Sequence, residues 1–84
     1  MLFVTGGRSP DGDREYKSVD MYDIAKNKWS DGPQMLATRV MHCVCLIGNS
    51  IYAFGGIKNA NFHLQEGIEK LDVEQLMAGR TVTW

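Results

Sequence analysis

The sequence has no excess of charge of either sign, and it lacks a long hydrophobic run. Nine Lys and Arg residues stand against ten Asp and Glu residues, which leaves a net charge of −1. This balance gives no electrostatic case for binding DNA, RNA or an anionic membrane. No apolar stretch approaches the roughly 20 residues that a transmembrane helix needs. We therefore expect a soluble chain that contacts neither nucleic acid nor membrane.

Cysteine is scarce, with two residues, Cys43 and Cys45, in a chain of 84. Residues two apart on a strand point to the same face and have little freedom to form a disulfide. Two buried, reduced thiols are the favoured interpretation, which predicts a cytoplasmic or otherwise intracellular, reducing location. A chain this short buries roughly 60–65% of the surface that it exposes when unfolded, so we expect a marginal core.

Motifs for catalysis or for cofactor binding are lacking as well. On a strand, His42 faces away from Cys43 and Cys45, and no second CxxC or HxxxH motif completes four zinc ligands. The Gly6-Gly7 pair lacks the Gly-Lys-Ser/Thr ending and the helix of a phosphate-binding loop. We predict no metal, no cofactor and no catalytic residue, and we expect that the chain is not an enzyme.

The sequence does contain an internal repeat, whose two copies lie 49 residues apart. Gly6-Gly7 follows the apolar run at Leu2–Thr5, and Gly55-Gly56 follows the apolar run at Ser50–Phe54. Periods of 20–50 residues are typical of solenoids, propellers and other repeat architectures. The repeat therefore predicts two copies of one structural unit.

The second half of the repeat is less similar between the two copies. Val19–Asp23 aligns with Ile68–Asp72, and both segments nearly alternate and end in aspartate. Trp29 follows the first segment closely, whereas Trp84 follows the second after a longer interval. An insertion of six residues at 75–80 accounts for the difference.

Alternation and turn signals predict an all-β chain. The predicted strands are residues 2–5, 18–23, 28–30, 40–47, 50–54 and 68–72. Gly48-Asn49 predicts a hairpin between the fourth and fifth strands. Residues 62–77 also have the spacing of an amphipathic helix, but the repeat favours a strand at Ile68–Asp72 with a helical turn at 74–78.

Together these residues resemble the kelch repeat. Its pattern is a strand ending in two glycines, a polar loop, a strand ending in Tyr-Asp, a tryptophan, a Pro/Met segment and an arginine. The first copy carries this pattern as Gly6, Gly7, Tyr22, Asp23, Trp29, Pro33, Met35 and Arg39. The second carries it as Gly55, Gly56, Leu71, Asp72 and Trp84, with leucine in place of the tyrosine.

The resemblance implies an all-β, kelch-type β-propeller segment of about 1.75 repeats, made of two four-stranded antiparallel blades. With strands named a to d outward from the propeller axis, residues 1–37 supply b, c and d of a blade that lacks its inner strand. Residues 38–84 supply a, b, c and d of the next. Tyr22 and Trp29 would fill the wedge between adjacent sheets and bond to backbone atoms; aromatics in the core of another β-sandwich are the alternative. Because repeats bury their faces against neighbours, we expect further blades from the same or another chain.

Partner contacts are expected in the polar loops between strands. The candidates are Arg8, Arg14 and Tyr16 in residues 8–17, with Phe62 and His63 in residues 57–66. Solvated loops without a partner are the alternative. Arg39 is expected to form a buried structural ion pair, and binding of an acidic peptide is the second interpretation.

The resemblance also implies a function, that of a protein–protein interaction module that scaffolds or recruits partners. Ubiquitin-ligase adaptors and actin-binding proteins are common uses of such propellers. One alternative is a structural subunit that completes a propeller within a larger assembly. A fragment of a propeller enzyme is a further alternative, which the lack of a catalytic motif disfavours.

Overall fold

A computed structural model describes residues 1–12, 14–57 and 63–84 of the chain. These residues form two three-stranded antiparallel sheets and one short helix. The first sheet, in the order β1-β2-β3, consists of β1 (Leu2–Thr5), β2 (Val19–Asp23) and β3 (Lys28–Asp31). The second, in the order β4-β5-β6, consists of β4 (Cys43–Ile47), β5 (Ser50–Phe54) and β6 (Ile68–Asp72), and is followed by α1 (Val73–Met77). The all-β prediction is confirmed.

The hairpin and the strand that the sequence predicted in the second copy are both present. Gly48-Asn49 closes a two-residue hairpin, since Ile47 pairs with Ser50, and Gly48 supplies the positive φ of +60° that such a turn requires. Ile68–Asp72 is a strand, as the repeat predicted, with buried and exposed side chains alternating along it. The helical turn expected after it is α1.

The fourth strand expected in the second sheet is not formed in the described residues. In the first sheet, Asn27 adopts a φ of +52° and turns the chain tightly from β2 into β3. At the equivalent positions the second copy has helix-forming residues. Asp72 caps the start of this helix by accepting a 3.0 Å hydrogen bond from the Gln75 N–H. The chain therefore enters α1. Trp84, expected near that strand, instead donates a 2.7 Å hydrogen bond from Nε1 to the Pro33 carbonyl.

The inner strand of the second sheet is shorter than the predicted residues 40–47. Met41 has a φ of +57°, which interrupts the extended backbone, so that β4 begins at Cys43 and Val40 makes an isolated bridge to Ile57. Cys43 and Cys45 are free thiols, but Cys43 is exposed and Cys45 half-buried. The expected burial of these thiols is wrong for this chain, because β4 turns them away from the first sheet.

The core lies between the two sheets. Its centre is the buried cluster of Val19, Met35 and Ala53, against which Phe3 and Trp84 pack. Directly opposed residues of an antiparallel pair point to the same side of the sheet. The other side of the first sheet, which we call the outer face, therefore carries Leu2, Val4, Asp20, Tyr22, Trp29 and Asp31.

The two motif aromatics, Tyr22 and Trp29, lie on this outer face. Trp29 is 62% exposed, and its ring lies 4.9 Å from that of Tyr22, centroid to centroid. The Tyr22 hydroxyl donates to the Asn27 side-chain Oδ1, whereas a backbone partner was expected. This pair faces away from the second sheet, so the prediction that it fills a wedge between adjacent sheets stays a prediction.

The two sheets lie on either side of the boundary predicted between residues 37 and 38, and that boundary stays a prediction. α1 has five residues. No helix within the described ranges has the length and apolar character needed to cross a membrane.

Candidate interaction surface

The long loops of both sheets meet the segment that crosses between the sheets, and backbone hydrogen bonds join each loop to it. Residues 6–18 follow β1, residues 55–67 follow β5, and residues 32–42 cross between the sheets there. Hydrogen bonds join them: the Gly7 N–H donates to the Arg39 carbonyl at 2.8 Å, and the Ile57 N–H to the Val40 carbonyl at 2.8 Å. We call this the loop end, and its described part excludes residues 13 and 58–62.

The first loop is held in place by its own backbone. Arg8 and Glu15 form a β-bridge, and the Ser9 N–H donates to the Arg14 carbonyl at 2.8 Å. The Arg8 guanidinium lies 3.9 Å from the Glu15 carboxylate, within the loop. Arg14 and Tyr16 are exposed. Of the three candidate contact residues in this loop, two are thus presented to solvent and Arg8 is paired.

The second loop offers a different surface. His63 is exposed, and Phe62 lies outside the described residues. Leu64 is largely exposed although Ile57 bridges to it, and sequence reasoning missed it because its spacing suggested a helix stripe. Gln65 anchors the loop by donating from Nε2 to the Thr38 carbonyl at 2.9 Å.

The buried side chain of Arg39 connects several segments of the loop end through hydrogen bonds. It is 1% exposed, and its Nε donates to a Glu69 carboxylate oxygen at 3.0 Å. Its two terminal nitrogens donate to the carbonyls of Gly55 at 3.0 Å and Gly67 at 3.1 Å. The other Glu69 oxygen accepts from the Leu36 N–H. The Arg39 side chain forms a buried ion pair with Glu69 and is not open to an external acidic peptide.

His42 lies where the two sheets meet. A 2.8 Å hydrogen bond joins its Nε2 to the Thr5 Oγ1, and its buried Nδ1 has no hydrogen-bond partner among the described residues. Burial, and secondarily the Arg39 guanidinium, lower the pKa of His42 below its ordinary value of 6.5, while Glu69 opposes the shift. No three side chains of metal-binding type come together in the part of the chain that the structure describes.

Comparison with known proteins identifies the repeat. The family model described as Kelch motif matches residues 1–36, which contain the whole first sheet. Kelch-like protein 8 of Mus musculus is 39% identical over 64 residues, which cover 76% of this chain. The chain belongs to the kelch-repeat family. Kelch repeats form β-propeller blades and generally mediate protein–protein interaction.

Other relatives match in the same way. Kelch-like protein 23 of Homo sapiens is 33% identical over 57 residues, or 68% of this chain and 10% of the relative. An F-box/kelch-repeat protein of Arabidopsis thaliana is 28% identical over 88 residues, or 99% of this chain and 18% of the relative. The kelch chain spans about a tenth of the length of the first two relatives.

The predicted assignment makes β1–β3 strands b, c and d of one blade and β4–β6 strands a, b and c of the next, and it stays a prediction. All four motif glycines have positive φ. A Cβ at Gly6 would lie 2.6 Å from the Arg39 carbonyl oxygen, and one at Gly56 would lie 2.5 Å from that of Val40. Because Gly6 and Gly56 lack a Cβ, the crossing segment can pack closely against them at the loop end, beside the candidate contact loops.

The stability of the kelch chain should fall as pH drops below about 6.5. Because the pKa of His42 is lower in the folded chain, the unfolded chain binds this proton more readily, and acid favours unfolding. The urea midpoint, measured from pH 7.5 to pH 5.0, should fall less in His42→Gln than in the original chain. Gln34→Ala, an exposed position that carries no titratable group, is the control and should keep the original pH dependence. The same pH profile in the original chain and in His42→Gln would contradict this assignment.

Proposed function

We propose that this kelch chain is a protein–protein interaction module, a propeller segment that acts as a scaffold or recruits partners and has no catalytic activity of its own. The observation that carries the proposal is the loop end, where an internally bonded loop presents Arg14 and Tyr16 to solvent. Arginine and tyrosine are enriched among the residues that contribute most to binding at protein interfaces.

The backbone hydrogen bonds within this loop support the same function. The Gly12 N–H donates to the Ser9 carbonyl at 2.9 Å, and the Tyr16 N–H donates to the Gly7 carbonyl at 2.9 Å. A loop that is already ordered loses less conformational entropy when a partner binds. Its position beside the Arg39 ion pair, which fixes the crossing segment, adds rigidity to the same end.

A structural role within a larger assembly is the second candidate. The observation that favours it is the outer face of the first sheet, where Leu2 and Val4 are 53% and 50% exposed beside Trp29. Exposed apolar patches of this kind mark interaction sites.

The two free thiols support a reducing compartment for either role. Ubiquitin-ligase adaptor and actin-binding roles are two forms of the recruiting function, separated by the identity of the partner.

A photo-crosslinking experiment tests the recruiting role. Benzoylphenylalanine in place of Tyr16 should crosslink the chain to a protein partner in an extract of the cells from which the gene comes. The control is the same substitution at Ile24, which is also exposed but lies in the turn at the opposite end. The partner captured through Tyr16 should then bind Arg14→Ala/Tyr16→Ala about tenfold or more weakly, as expected for two central interface residues.

Two results would contradict the loop end as the recruiting surface. The first is crosslinking to the same protein from both positions, which would indicate non-specific contact. The second is unchanged affinity of the purified partner for the double alanine variant.

A further inference from the structure

Ser9 is the serine of a Ser-Pro pair, and no other serine or threonine of the chain precedes a proline. The chain has two prolines, Pro10 and Pro33, and Gly32 precedes the second. Proline lacks a backbone N–H, so a protein kinase that offers no hydrogen-bond acceptor after the phosphorylated residue selects proline at that position. This is the specificity of the proline-directed serine/threonine kinases. The sequence therefore has one candidate substrate residue for this class of kinase.

Ser9 lies at the tip of the first loop, where the chain reverses its direction. The Gly12 N–H donates to the Ser9 carbonyl at 2.9 Å, which closes a turn around Pro10 and Asp11. Those two residues and Gly12 are exposed, and Ser9 is half-buried. Loop tips open at little cost in free energy, so a kinase can extend this segment without unfolding the two sheets.

The Ser9 hydroxyl takes part in the structure of this tip. It donates to an Asp11 carboxylate oxygen at 2.6 Å and accepts from the Arg14 N–H at 3.0 Å. A phosphoserine has lost the hydroxyl proton, so it cannot donate to Asp11, and the two negative groups repel each other. Phosphorylation would therefore change the conformation of the loop tip.

Arg14 lies directly opposite Ser9 across the loop. The Ser9 N–H donates to the Arg14 carbonyl at 2.8 Å, and the neighbouring residues Arg8 and Glu15 form a β-bridge. Directly opposed residues of an antiparallel pair point to the same side, with Cβ atoms about 4.5–5.5 Å apart. A phosphate on Ser9 is thus within reach of the Arg14 guanidinium, a group that binds phosphate oxygens through two parallel hydrogen bonds.

Phosphorylation would also change the charge of the loop. Residues 8–17 contain three Lys and Arg and three Asp and Glu, and the segment is therefore neutral. A phosphate group adds about −2 at pH 7. The Arg14 guanidinium, which forms no ion pair within the described residues, would then be paired inside the loop and no longer presented to a partner.

We propose that Ser9 is a phosphorylation site for a proline-directed serine/threonine kinase, and that its phosphate pairs with Arg14 and weakens partner binding at the loop end. The kinase transfers the γ-phosphoryl group of ATP. A bond forms between phosphorus and Ser9 Oγ, the bond to the bridging oxygen of ADP breaks, and the hydroxyl proton passes to the catalytic aspartate of the kinase. The effect on binding rests on the proposed function, whereas the modification itself does not.

Phosphorylation of the purified full chain tests the modification. A purified proline-directed kinase with ATP and Mg²⁺ should add one phosphoryl group, which tandem mass spectrometry should locate on Ser9. Pro10→Ala should lower the initial rate about tenfold, because the new N–H has no acceptor in the kinase, and Ser9→Ala should abolish the reaction. Ser30→Ala, which removes a serine that precedes aspartate, is the control and should leave the rate unchanged. Phosphate on another residue, or an equal rate for Pro10→Ala, would overturn the proposal.

The pairing with Arg14 can be measured without a partner. In ³¹P NMR titrations, the pKa of the Ser9 phosphate should be higher in Arg14→Gln than in the original chain, because a nearby guanidinium favours the dianion. Lys17→Gln is the matched control, since it removes one positive charge from the same loop and keeps the residue opposite Ser9. It should leave this pKa nearly unchanged. The same phosphate pKa in Arg14→Gln and in the original chain would overturn the pairing.

The effect on binding is measured with the partner captured through Tyr16. Complete phosphorylation of Ser9 should weaken this binding about tenfold, the loss expected when one central arginine is withdrawn from an interface. Equal affinity of the phosphorylated and unphosphorylated chains would overturn the proposed regulation. If crosslinking captures no partner but the kinase modifies Ser9, the proposed function fails and the modification stands. If a partner is captured but the kinase leaves Ser9 unmodified, the phosphorylation proposal alone fails.

Discussion

Arg39→Met is expected to lower the free energy of unfolding by about 3–5 kcal/mol, the cost of leaving one member of a buried ion pair without its partner. Glu69 would keep its Leu36 N–H bond but lose the guanidinium, and the carbonyls of Gly55 and Gly67 would each lose a donor. Natural domains have a total stability of about 5–15 kcal/mol, so this loss removes much of it. Urea unfolding followed by tryptophan fluorescence measures the change.

A double variant separates the loss of the charge pair from general damage. Arg39→Met/Glu69→Leu replaces both charges with apolar side chains, and it should recover much of the stability lost in the single variant. Arg39→Lys keeps the charge but cannot reach Glu69 and two carbonyls in the same geometry, so it should fall between the original chain and Arg39→Met. A double variant no more stable than Arg39→Met would show that the ion pair is not the cause.

The strands were predictable because their signals are local. Alternating side chains, the Gly48-Asn49 turn and the copy of β2 at Ile68–Asp72 are each visible within a few residues, and the structure has these elements. The missing fourth strand has a local cause too. Asp72 can end a strand and cap a helix equally well, and the helix-forming residues that follow it favour α1.

The site was predictable in part. Arg39 could be singled out by its place in the motif, but Glu69 could not be named as its partner from the sequence. The signal was available, since Glu69 occupies an inward position of an alternating strand next to Leu71, where an acidic residue requires a partner. Pairing the two residues needed the crossing of segment 32–42 over β6, which is a tertiary contact.

The exposure of the aromatic pair was not predictable for a related reason. A motif residue such as Trp29 indicates which face of a sheet it occupies, while its burial depends on what lies against that face. In this chain the second sheet covers one side of the first sheet, and Tyr22 and Trp29 are on the other.

Substitution of a motif glycine is the second change expected to lower the free energy of unfolding strongly. Gly56→Ala is expected to cost about 2–5 kcal/mol: roughly 1–2 kcal/mol for a Cβ at a φ of +88°, and roughly 1–3 kcal/mol for its overlap with the Val40 carbonyl oxygen at 2.5 Å. That oxygen belongs to the backbone of the crossing segment, which the bridge to Ile57 holds in place. Urea midpoints read by circular dichroism measure the cost.

The adjacent glycine is a matched control. Gly55 has a φ of +73°, but a Cβ there meets nothing within 4 Å, so Gly55→Ala should cost about 1–2 kcal/mol, from backbone strain alone. In the first pair the order is reversed: Gly6→Ala meets the Arg39 carbonyl at 2.6 Å and should be the severe change, while Gly7→Ala meets nothing. Contact with the crossing segment, and not position in the motif, thus decides which glycine is indispensable. If the same position of the motif proved more sensitive in both pairs, this explanation would be wrong.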